Sequence, residues 1–262
     1  MKEHASEPQV FERILCGVDG TPASLVAVRQ AVRLQGEHGS VLLTAVANLA
    51  QAAQAGLAAS HAAELMQHEA EAALAEAQAS APSAGAKLVN GDPVAVLLKQ
   101  AEAERATLIV VGSHGRRRAA GLLLGTVAAR MLRDATCSVL VARAARDLES
   151  WPQTVVAGVD GSLESAAAFA VARSLAARFG GSAQAVASAK DQLDRDAART
   201  IAPELEEQRE PAVKVLVAAS ESADLIVVGS RGLHGLKALG SVSERVAHQA
   251  RSSVLVVRPG HT

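Results

Sequence analysis

Three short stretches of this chain hold the residue types that bind phosphate and nucleobase. Gly112-Ser113-His114-Gly115 follows the apolar run Leu108 to Val111, and after nine intervening residues Gly125-Thr126 opens a helical pattern. Glycines let a backbone approach an anion closely, and free amides at a helix start direct partial positive charge at it. Thr126 adds a hydroxyl donor, and Arg116, Arg117 and Arg118 lie inside the loop, so the electrostatics favour a polyphosphate. Asp19 closes the apolar run Ile14 to Val18. Its carboxylate can accept hydrogen bonds from an adenine amino group or a ribose hydroxyl, or it can serve the helix that follows; the residues alone leave both open.

The same stations occur twice. Gly17-Val18-Asp19-Gly20 returns as Gly158-Val159-Asp160-Gly161, an offset of 141, and Val110 to Gly115 returns as Val227 to Gly232 at 117. Gly125-Thr126-Val127 matches Gly240-Ser241-Val242, and Ser138 to Val141 matches Ser253 to Val256, both at 115. The second copy has therefore lost 24 residues between its first two stations and two more inside the glycine loop. An internal repeat with a shortened second unit follows, with domains expected at 1–146 and 147–262.

The elements that must position these residues read as alternating strands and helices. Thr21-Pro22 is a helix-start signal, Thr as N-cap and Pro in the first turn. Leu25, Val28 and Val32 recur at helical spacing until Gly36. Strands are expected at Val41 to Ala47, Lys87 to Asn90, Leu108 to Gly112 and Val139 to Arg143, and helices at Ser60 to Ser80, Pro93 to Arg105 and Thr126 to Asp134. Continuous apolar strands between helices describe a parallel sheet covered on both faces, which binds ligands beyond its carboxyl strand ends. In the second unit the middle helix shrinks to about Asp191 to Thr200, and the third strand is expected to be missing. Ala144 to Gln153 reads as a short ordered linker.

Together, Val18-Asp19-Gly20 and the pattern Gly112, Gly115, Gly125, Thr126 resemble the ATP-binding signature of the universal stress protein family, over nearly the whole chain as two consecutive units. The resemblance implies two tandem doubly wound α/β domains, each a parallel sheet of order 3-2-1-4-5 of the adenine nucleotide alpha hydrolase-like type, the second truncated. It also implies that Val18 and Asp19 flank adenosine, that Val46 meets adenine through its backbone, and that Gly112, Gly115, Gly125, Thr126 and Val127 surround ribose and phosphates. Asp160, Gly229, Gly232, Gly240 and Ser241 are the counterparts in the second unit. There only seven residues separate the second and third glycines, and Ser241 with Glu244 has capping-box spacing, so the serine can serve its own helix instead. The implied cofactor is ATP, with or without Mg.

Composition narrows the partners. The chain has 262 residues, 49% of them hydrophobic and 20% charged, which argues for packed layers throughout. Residues 1–146 carry 14 basic and 13 acidic side chains and residues 147–262 carry 12 and 14, so neither half is a basic module for nucleic acid. Three Phe, one Trp and no Tyr leave little for base stacking. No apolar run has the length of a membrane span or the form of a signal peptide, so a cytoplasmic protein is expected. Cys16 and Cys137 beside strand-like runs read as buried reduced thiols. His61, Glu64, His68 and Glu71 share a helix face, which without ligands from a second element reads as solvated rather than metal-binding.

No Walker-type loop, dinucleotide fingerprint or nucleophile elbow is present, and no general base is evident apart from His114 in the glycine loop. The expected function is an adenine-nucleotide-binding stress sensor or regulator without catalysis. A slow nucleotide hydrolase using His114, or a scaffold that binds no nucleotide, are the alternatives. The last strands of the units are expected to pair within the chain as a pseudo-dimer, with a homodimer as a further possibility.

Overall fold

The computed structural model describes residues 11–49, 59–115, 124–191, 193–230 and 242–258. In the first unit the chain runs β1 (Arg13–Val18), α1 (Pro22–Leu34), β2 (Ser40–Ala47), α2 (Ala59–Ser80), β3 (Gly85–Asn90), α3 (Pro93–Ala103), β4 (Leu108–Gly112), α4 (Thr126–Asp134) and β5 (Ser138–Ala142). The second unit runs β6 (Thr154–Gly158), α5 (Leu163–Phe179), β7 (Ser182–Ser188), α6 (Arg195–Ile201), β8 (Glu206–Gln208), α7 (Ala212–Ala219), β9 (Leu225–Gly229), α8 (Val242–Gln249) and β10 (Ser253–Val257).

The ten strands of the described residues form one sheet, in the order β3-β2-β1-β4-β5-β10-β9-β6-β7-β8. The first five follow the expected 3-2-1-4-5 order with parallel neighbours. One junction between the last strands joins the two parallel halves: β5 pairs antiparallel with β10, Leu140 opposite Leu255, with Val139 and Val141 facing Val256 and Val254. These strands are buried along their whole length, so an unpaired edge here would leave backbone amides and carbonyls without partners. The third strand of the second unit, expected to be missing, is present as the three-residue β8, held parallel to β7 through Val186 to Ser188. Deleting residues from the middle of the unit has shortened its edge strand and reduced its helix to seven residues without removing either.

Alternation along the strands sends side chains to two apolar layers. Ile14, Cys16 and Val18 pack with Ala27 and Val28 of α1 and Ala73 of α2, and the same layer continues through Val155, Ala157 and Leu175 of the second unit. Leu15, Ile109 and Val139 join the opposite layer, where Leu97 of α3, Met131 of α4, Leu216 of α7 and Val246 of α8 cover the sheet. Both layers run unbroken across the seam. Trp151 adds a further tie, fully buried in the connection between units with its indole N–H donating to the Asp224 carbonyl, while Arg33 of α1 donates to the Trp151 carbonyl.

Candidate functional site

Each unit opens with the same turn. The chain leaves β1 at Val18, Asp19 follows, and Gly20 takes φ 74, a left-handed conformation that any side chain would strain. Asp19 Oδ1 accepts from the Thr21 amide at 3.0 Å and the Thr21 hydroxyl at 2.6 Å, and Thr21 then caps α1 by accepting from Ser24 N at 3.2 Å. In the second unit Asp160 Oδ1 accepts from the Ser162 amide at 3.0 Å and hydroxyl at 2.5 Å, Gly161 has φ 90, and Ser162 caps α5. Thr21 is thus the N-cap, and Asp19 orients the cap from outside the helix.

Strand order reverses between β2 and β4 on the two sides of β1, so the carboxyl ends of these strands form the mouth of the first unit. Val18 stands level with Ala45, which brings Val46 beside Asp19 at that mouth. Opposite them lies the glycine loop. A Cβ on Gly115 would come within 3.1 Å of Asp19 Oδ2, and one on Gly125 would lie 3.1 Å from the His114 Cα and 3.4 Å from the Gly115 amide nitrogen. Gly125 N also donates to the Ser113 carbonyl at 2.7 Å. The segment after Gly112 and the start of α4 therefore converge, with Asp19 as the facing carboxylate. At the head of α4, Gly125 supplies no side-chain cap, Thr126 is exposed and Val127 half-buried, with no acidic residue in the first turn. That is the backbone arrangement an anion needs.

Gly112 has a different task. A Cβ there would press within 2.9 Å of the Ala23 and Ser24 backbone, so this glycine lets β4 pack against the start of α1. His114 Nδ1 lies 3.0 Å from the Ser113 hydroxyl, which fixes the ring beside the loop. Arg116, Arg117 and Arg118 lie outside the described residues, as do Gly232, Gly240 and Ser241 of the second unit.

The second unit contains a cavity of about 440 Å³, within the range of small-molecule pockets. Asp160, Gly229 and the first turn of α8 line it, and so do Leu132 and Arg133 at the far end of α4 in the first unit. Gly229 repeats the close approach of Gly112, since a Cβ on it would sit 2.5 Å from the Glu164 carbonyl. Sequence reasoning missed the wall contributed by α4. Its only signal was the amphipathic pattern of that helix, which says nothing of a partner across a seam.

The remaining candidates separate cleanly. His61, Glu64, His68 and Glu71 are all exposed on α2, and no group of metal-ligating side chains occurs among the described residues. Burial pushes the Cys16 thiol up to about 12 and the Cys137 thiol up to about 11, which suits inert core residues. No described helix is long and apolar enough to cross a membrane.

The universal stress protein family matches residues 11–143 and 181–258. The chain belongs to the universal stress protein family. Universal stress protein Rv2623 of Mycobacterium tuberculosis is 31% identical, covering 95% of this chain and 97% of its own length. Universal stress protein Rv2005c of the same organism is 34% identical over 67% of this chain and 69% of its own. Among solved structures, a universal stress protein from Archaeoglobus fulgidus superposes with a TM-score of 0.75 at 22% identity, covering 94% of this chain and 96% of that one. A protein described as a universal stress protein from Pseudomonas aeruginosa gives 0.70 at 20% identity, over 95% and 94%. These two likenesses bear on the fold. The second family match begins at residue 181, so β6 and α5 rest on the repeated Asp160 turn and on the sheet order rather than on that match.

Proposed function

We propose that the first unit holds ATP or a related adenine nucleotide and that the protein acts as a stress-response sensor or regulator through that occupancy. The observation that carries the reading is the closure of the glycine loop, where Gly115 lies against Asp19 and Gly125 against His114 and Gly115 so closely that side chains at either place would fill the cradle. Val18, Asp19 and Val46 take the adenosine, and Gly115, Gly125, Thr126 and Val127 offer backbone and hydroxyl donors to the phosphates. A bound Mg ion would supply charge neutralisation to the triphosphate. Asp19 Oδ1 accepts from the Thr21 amide and hydroxyl, which fixes the carboxylate's orientation at this mouth.

The protein is a binder rather than a catalyst in this account. His114 Nδ1 is taken by the neutral Ser113 hydroxyl at 3.0 Å, which supports reading the ring as part of the loop rather than as a general base. Cytoplasmic localisation and dimerisation of the whole chain are parts of the same proposal.

The test is thermal. A ligand that binds only the native state at a hundred times its Kd adds about 2.7 kcal/mol, which for a chain of this size raises Tm by about 5 °C or more. Millimolar ATP should produce that rise in the natural protein and none in a Gly115→Glu variant. No rise in the natural protein or in the variant would favour the scaffold reading. Sustained phosphate release that disappears in His114→Ala would favour the hydrolase.

A further inference from the structure

A residue of the second unit holds the helix on which the first unit's cradle is built. Helix α4 has nine residues, so its head at Gly125 and its carbonyl end are joined by about 13 Å of rigid rod. The head meets the glycine loop, where Gly125 N donates to the Ser113 carbonyl and the Gly125 position lies against His114 and Gly115. At the foot, the Leu132 carbonyl belongs to the last turn, whose carbonyls a helix cannot satisfy by itself. Arg258, which follows β10, fills that place from across the seam. Its buried guanidinium donates to the Leu132 carbonyl and, at 3.1 Å, to the Cys137 carbonyl, while its amide donates to Ser138 Oγ at 3.1 Å. One residue earlier, the Val257 carbonyl accepts from the Ser230 amide at 2.9 Å, directly after Gly229. Contacts therefore run from the loop of the second unit through Arg258 into α4, and α4 opens at the first unit's cradle. The mirrored crossing is thinner, since the Arg143 guanidinium donates to a single carbonyl, that of Ala247 in α8.

We infer that Arg258 is a positioning residue for the first unit's nucleotide site: it fixes where the amides at the head of α4 stand relative to Gly115 and Asp19, so that the second unit sets the affinity of the first. The inference rests on the nucleotide reading of the first unit. Ala128, Met131 and Leu132 press α4 onto the sheet, but apolar burial is non-directional and hydrogen bonds are not. Arg130 and Arg133 pair with Asp134, contacts that tie the helix only to itself. The bonds from Arg258 are thus the directional hold on its foot. A binding constellation tolerates displacements of about half an ångström, and a rigid rod carries a shift of its foot to its head.

Equilibrium dialysis of ATP against full-length chains tests this. Arg258→Ala is expected to weaken ATP about tenfold, and Arg258→Lys, which keeps the charge and a donor, only about threefold. Arg33→Ala removes a different seam contact, the bond to the Trp151 carbonyl, and should leave ATP within about twofold. An effect below twofold in Arg258→Ala, or an equal loss in Arg33→Ala, overturns the inference. Should Arg258→Ala fail to fold, Arg258→Met fills the space without donors and is held to the same tenfold loss. Hydrogen exchange without nucleotide gives a second reading at the Ala129 amide, which donates to the Gly125 carbonyl at 3.0 Å. Faster exchange is expected there in the Arg258 variant and the natural rate in Arg33→Ala; the natural rate in both overturns the positioning role. If the natural chain retains no ATP, the nucleotide reading fails, and the exchange measurement still decides whether Arg258 sets the head of α4.

Discussion

Arg258 and Arg143 hold equivalent places on opposite sides of the seam: the Arg258 guanidinium donates to the carbonyls of Leu132 and Cys137, and the Arg143 guanidinium donates to the carbonyl of Ala247. Their backbone amides repeat the exchange, Arg258 N donating to Ser138 Oγ at 3.1 Å and Arg143 N to Ser253 Oγ at 3.0 Å. Each arginine follows the last strand of one unit and grips the last helix of the other, at the carbonyl end where a cation is favoured. Gln30 completes the seam, donating to the Arg143 carbonyl and accepting from the Ser253 hydroxyl.

Arg258 is the more buried of the pair, and burial pulls its guanidinium below its usual range. Replacing it with alanine strands the Leu132 and Cys137 carbonyls in the core and should cost about 3 kcal/mol. Urea unfolding checks this, and Arg258→Ala is expected to unfold at lower urea with the slope unchanged. A loss below half a kcal/mol, roughly the level of an ordinary surface substitution, would show that the seam does not depend on this side chain.

Thr21→Ala removes the side-chain N-cap of α1 and the hydroxyl that donates to Asp19 Oδ1. A stability loss of about 1 kcal/mol is expected from the cap alone. Because the same turn places Asp19 at the mouth, ATP affinity should fall as well. The equivalent Ser162→Ala change in the second unit should cost similar stability and leave ATP affinity in the first unit untouched. Melting curves recorded with and without ATP separate the two effects.

The thiols give a pH-dependent check. Raised values for Cys16 and Cys137 mean that the folded chain holds both protons when an unfolded chain begins to release them. Stability linked to these groups is therefore complete below the ordinary thiol range near 9 and is lost as pH climbs toward 11 and 12. At pH 8 a thiol reagent should label neither cysteine in the native protein and both in denaturant. Fast native labelling of Cys16 would contradict its place under α1.

Much of this architecture can be read from residue order. Continuous apolar runs such as Leu108 to Val111 specify buried parallel strands, and Thr21-Pro22 marks the start of α1 to the residue, because local chemistry alone decides both. The convergence of Gly115 on Asp19 follows from placing two such loops at neighbouring strand ends. What sequence concealed depends on contacts between distant segments. Arg143 and Arg258 look like surface cations after a strand, and only the seam buries them. Trp151 looks like part of a linker, yet it fills the core between units. The short β8 escaped notice since Glu206 to Gln208 carries no apolar residue, its pairing being dictated by the neighbouring β7.

In the proposed function the Gly115 and Gly125 backbone and the Asp19 carboxylate enclose an adenine nucleotide. Equilibrium dialysis of radiolabelled ATP against the natural chain and against Gly115→Glu tests it most directly. Saturable retention by the natural chain, lost in the variant while its melting temperature without ligand stays unchanged, is the predicted result. Equal retention by both, or by neither at millimolar ATP, would contradict it.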